Sequence, residues 1–116
     1  MAMQTNPSTS LKLLAPIASF FAHETTDPQA VARCFSEGAV VLDEGHEHQG
    51  RAAIAAWNAA VVAKYKFTTE PLTAETIGDR TTVTARVAGS FPSSPAQLRL
   101  QFTVTGDLIT RLEIAP

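Results

Sequence analysis

AVVLDEGHEHQGRAAI, residues 39–54, runs from an apolar segment into a cluster of acids and histidines, crosses a glycine and emerges as an alanine-rich stretch. Ala39 to Glu44 reads as a strand. Side chains alternate along a strand, so Val41 and Asp43 share one face while Val40, Leu42 and Glu44 share the other. His46, Glu47 and His48 then follow within one short loop, and Gly50 frees the backbone for helix entry. From Arg51 to Lys64, the residues Ile54, Trp57, Val61 and Tyr65 recur every three or four positions among alanines and valines. That spacing predicts a long helix with Trp57 and Tyr65 on its buried face.

Upstream, Pro16 suits a first helical position, and Ile17, Phe20, Phe21 and Glu24 follow at helical spacing, with His23 near the carboxyl end. Asp27-Pro28 is a second start signal, a side-chain acceptor followed by a first-turn proline. Val31, Cys34 and Phe35 form the inner stripe of that helix, and Gly38 supplies its stop. Residues 1–13 read as a flexible tail and 14–116 as one domain. Downstream, the period changes to two. Phe67 to Ile77 is extended, and Pro71 marks it as an edge or a bulge. Gly78-Asp79 turns the chain into Thr81 to Gly89, FPSSP at 91–95 is a stiff corner, and Gln97 to Thr105 alternates with Leu98, Leu100, Phe102 and Val104 inward. Gly106-Asp107 then turns into Leu108 to Ile114. Helices first and then consecutive strands is the pattern of an α+β domain, a curved, mostly antiparallel sheet wrapped around about three helices from the N-terminal half, with an internal pocket.

The 116 residues, 45% hydrophobic and 17% charged, suit one domain with a core that needs no disulfide or structural metal. Cys34, the single cysteine, falls in an apolar series and reads as a buried core thiol. The net charge is −2, and the nine basic residues are scattered singly, which argues against nucleic acid as a partner. No basic side chain precedes Lys12, and no stretch approaches the ~20 apolar residues of a bilayer span, so neither a secretory signal nor a membrane segment is expected. A cytoplasmic protein is the expectation.

CFSEGAVVLDEG, QGRAAIAAW and FTVTGDLITRLEI, in this order and spacing, resemble the nuclear transport factor 2-like superfamily, which includes ketosteroid isomerase, scytalone dehydratase and the SnoaL-like polyketide cyclases. The resemblance covers residues 14–115. It implies a cone-like, cystatin-like fold and a homodimer paired through the outer face of the late strands, near Thr84, Arg86, Arg99, Gln101 and Arg111. It also places Asp43 where the isomerase carries its aspartate general base. The isomerase's oxyanion hole needs a tyrosine on the first helix and a protonated aspartate in a late strand, but those positions fall at Ser19 or Phe20 and near Leu100. Steroid isomerisation is therefore not expected.

Asp43 has two readings: a pocket acid whose pKa burial raises, or a strand-end residue that binds backbone donors. His46 and His48 lie on one side of an extended segment, but the glutamate that a cupin-type metal site needs after them is missing, so no metal and no cofactor are expected. They read as solvated histidines, a pH-sensitive rim or a relay to Asp43. The expected ligand is a small apolar molecule, contacted by Phe20, His23, Val41, His46, His48, Trp57, Tyr65, Leu100 and Phe102. Proton-transfer enzyme, non-catalytic binding module and association domain are the function classes left open. Triad, P-loop and dinucleotide patterns are lacking.

Overall fold

Two proline-initiated helices open the part of the chain that the structure, a computed structural model, describes, residues 12–116. The expected N-terminal tail lies, up to residue 11, outside the described residues, and Leu13 already packs against the core. α1 spans Ala15–His23 and α2 spans Pro28–Arg33. Asp27 caps α2, its side chain accepting from the backbone N–H of Ala30 at 3.1 Å. This satisfies one of the donors that a helix start leaves free.

The chain departs from the sequence expectation after α2. The helix ends at Arg33, and β1 runs Phe35–Asp43, so Phe35 belongs to a strand and Gly38 lies inside it instead of stopping a helix. The β1 pairing shifts register between Phe35 and Val40, and Gly38 sits within that irregularity. Phe35 is buried either way, which is why apolar spacing alone could not separate the two. The histidines also differ from expectation. Glu44 and Gly45 both have positive φ, 53° and 77°, the two-residue geometry that returns a strand on itself, and β2, His46–Gln49, pairs antiparallel with β1.

α3 follows as Arg51–Tyr65. Its start is tied to β1 by the Arg51 Nε donating to the Phe35 carbonyl at 2.8 Å, and Lys66 in the left-handed region closes its end. Four strands complete the sheet: β3 Thr68–Ile77, β4 Arg80–Ala88, β5 Ala96–Thr105 and β6 Leu108–Ala115. The strand order is β2-β1-β6-β5-β4-β3, antiparallel except where β1 meets β6. Pro71 is on the edge strand and also at its bulge, where the pairing with β4 shifts between Pro71 and Thr73.

The core gathers between the three helices and the sheet. Phe20, Phe35 and Phe102 are fully buried, and the Phe20 ring meets Phe102 edge-on at 5.4 Å and Phe35 at 6.1 Å. Cys34 is buried there and its thiol donates to the Ala30 carbonyl at 3.4 Å. Among the described residues no helix is long and apolar enough to cross a membrane.

Candidate functional site

A cavity of about 530 Å³ opens between the second half of α3 and one end of the sheet. α3 contributes Trp57, Val61 and Tyr65, and the β1–β2 turn contributes Asp43, Glu44 and Gly45. Phe67 and Thr69 come from the start of β3, Phe91 from the β4–β5 connection, Leu98 and Leu100 from β5 and Ile114 from β6. Glu24, just past α1, completes the wall. The lining is mainly apolar and includes three carboxylic acids, but no Lys, Arg or His.

Strand parity sends Asp43 to the same side as the fully buried Val41, and there its Oδ2 accepts from Trp57 Nε1 at 3.0 Å. Burial raises the Asp43 pKa above its ordinary value; the Trp57 hydrogen bond opposes this, the Glu44 charge adds to it and His48 opposes it weakly. Glu44, of opposite parity, stands at the exposed rim, where the Tyr65 hydroxyl donates to its Oε2 at 2.7 Å. Phe91 meets the Tyr65 ring edge-on at 5.8 Å.

Of the residues expected to meet a ligand, the structure brings Asp43, Trp57, Tyr65 and Leu100 together on the cavity wall. Phe20, Val41 and Phe102 are fully buried in the core behind it, where Phe20 of α1 packs edge-on against Phe102 of β5. His23 lines a separate shallow groove with Ser19, Arg33 and Asp107. His46 is exposed, its Nδ1 3.0 Å from the Glu44 carbonyl oxygen, and His48 lies beside Trp57 with ring centroids 6.1 Å apart. His48 therefore touches the site only through the indole and the field it exerts on Asp43. No cluster of three or more metal-ligating side chains occurs among the described residues.

Sequence reasoning missed two residues on helical faces. Glu24 is 8% exposed and Asn58 1%, and the Asn58 amide donates to the Glu24 carbonyl at 3.0 Å. Their signal was a polar side chain at core spacing: Glu24 four residues after Phe20, Asn58 four after Ile54. Tyr65, expected on the buried face of α3, is only partly buried because the stripe runs out over the cavity.

Residues 17–112 match the model of the SnoaL-like domain. The chain belongs to the SnoaL-like domain family. Among solved structures it is similar to protein SMa1630 of Sinorhizobium meliloti, a candidate polyketide cyclase, at 38% identity over 89% of this chain and 95% of that one, with a TM-score of 0.86. A Catenulispora acidiphila protein with a ketosteroid isomerase-like fold, solved with trimethylamine, shares 21% identity over 90% and 87% of the two chains at a TM-score of 0.80. An NTF2-like protein of Cytophaga hutchinsonii shares 11% identity over 90% and 91% at 0.70; at these lower identities the likeness is one of fold. No curated protein matches the SnoaL-like chain.

Proposed function

We propose that this SnoaL-like domain binds a small, largely apolar carbonyl compound in its cavity and that Asp43 removes a proton from the carbon next to the carbonyl. The observation that carries this reading is the Asp43 carboxylate, held at 3.0 Å by Trp57 Nε1 on an apolar wall. An oriented and partly desolvated carboxylate is a stronger base than one in water, and proton removal of this kind begins isomerase, cyclase and dehydratase reactions alike. The 38% identity to a candidate polyketide cyclase supports the same class. A general probe is β-tetralone, an apolar ketone whose α-hydrogens exchange with heavy water once a base removes them. The wild-type protein should accelerate that exchange, and Asp43→Asn should lose about 10² or more of the acceleration. Equal rates for the two proteins would exclude Asp43 as the base.

We also propose that two copies pair through the outer face of β4, β5 and β6. Support comes from alternation: Thr84, Arg86, Arg99, Gln101 and Arg111 lie opposite the buried Ala85, Val87, Leu100 and Leu112, and the uncovered face is polar, with Arg86 3.9 Å from Glu70. A contact of this composition is wet rather than oily. Light scattering at high micromolar concentration should give twice the chain mass; a monomer there contradicts the pairing.

A further inference from the structure

One acid in the cavity has no place in the chemistry above. Glu24 continues the Ile17 and Phe20 row past the end of α1, so the helix carries it inward, and although it lines the cavity it is only 8% exposed. Its backbone is fixed by the Asn58 amide, while Trp57, the next residue along α3, holds Asp43. Consecutive residues of one helix thus position the two acids. The Glu24 carboxyl has no salt-bridge partner among the described residues. The Thr69 hydroxyl is near it but does not close a hydrogen bond of standard geometry, and Thr69 Oγ1 is buried without a partner among those residues. Desolvation pushes the Glu24 pKa up to about 7, with Thr69 pulling slightly the other way. The other titratable side chains on the same wall are those of Asp43, Glu44 and Tyr65, none of them basic. His23, its neighbour in sequence, faces the separate groove.

We propose that Glu24 is a second catalytic residue: an uncharged carboxylic acid that donates a hydrogen bond to the carbonyl oxygen of the substrate whose α-carbon faces Asp43. This rests on the proton-transfer reading of Asp43 and narrows it. A buried carboxyl that keeps its proton is a donor, and a donor aimed at an oxygen that gains negative charge stabilises the transition state. In the step itself, the Asp43 carboxylate takes the α-proton and the C–H pair moves into a carbon–carbon double bond. The carbonyl pair moves onto oxygen, and Glu24 shares or transfers its proton there. An enol, a protonated Asp43 and a Glu24 carboxylate result, and reversing the transfers at another carbon completes an isomerisation without an outside reagent. Three acids and no base on the wall also set the substrate class: an uncharged carbonyl compound rather than one bearing its own carboxylate.

The test is binding of β-tetralone, followed by quenching of Trp57, the only tryptophan, in the Asp43→Asn background so that neither turnover nor Asp43 titration enters. In that background the affinity should fall as pH rises through about 7, because the donor is lost when Glu24 ionises. Adding Glu24→Ala should weaken binding about tenfold on the acid side and flatten the profile. Adding Glu24→Gln, which keeps the shape and a donor at every pH, should retain acid-side affinity and also flatten the profile. Unchanged affinity and an unchanged pH profile in both double variants would overturn the role of Glu24. If the Asp43-dependent exchange persists in that case, only this inference falls; if Asp43→Asn leaves exchange untouched, the proton-transfer reading falls whatever the titrations show.

Discussion

Glu24 and Asp43 stand on one cavity wall, and burial raises the pKa of both. Asp43 was legible in the sequence because strand parity is strict: two residues from Val41 means the same face, and a strand end opens toward a cavity. Glu24 was not, because helical spacing identifies a face but not the point along it where the core gives way to open space. Position along the element is equally hidden in a strand, so Phe20 of α1 and Phe102 of β5 were both expected on the wall and lie behind it. Burial of Glu24 also has a thermodynamic sign. The folded chain holds its proton up to about 7, whereas the unfolded chain releases it near 4.5, so between those values the folded state binds more protons and stability declines as pH rises. The share due to Glu24 should amount to roughly 3 kcal/mol, and Glu24→Gln should remove that share, leaving the smaller decline of the same sign that the raised Asp43 contributes. Urea melts on either side of that window measure the difference; an equal decline in the variant would mean that Glu24 is not the group responsible.

At the scale of elements, α3 was read within one residue of its bounds, since its stripe repeats over four turns. β2 escaped notice because His-Glu-His-Gln has no apolar alternation and its turn is Glu-Gly instead of the commoner Asn-Gly. Trp57, 7% exposed, joins α3 to both the core and Asp43, so Trp57→Ala should cost about 3 to 5 kcal/mol. A loss below about 1 kcal/mol in denaturant melts would contradict that packing. Gly89 holds a different junction. A Cβ there would lie 2.6 Å from the Tyr65 carbonyl oxygen and 2.9 Å from Phe67 Cα, where the strand following α3 begins. Gly89→Ala must displace backbone and should destabilise by about 1 to 3 kcal/mol; a neutral melt would show that the two segments sit further apart.

For the whole molecule, the order of elements in the sequence foretold the α+β architecture, whereas the division of the interior into a packed half and an open half was not readable. Phe20 and Phe21 of α1 pack on Phe102 of β5, and α2 and α3 cover β1, while the second half of α3, with Glu24 and Phe91, walls an end of the sheet that stays open. The open half is where the acids collect. Whether they act together in proton transfer is read from the pH profile of β-tetralone α-hydrogen exchange. The wild-type rate should climb as Asp43 loses its proton above the ordinary carboxylate range and fall again as Glu24 ionises through about 7, and Asp43→Asn should remove the climb. A wild-type profile indistinguishable from that of Asp43→Asn would contradict their joint action.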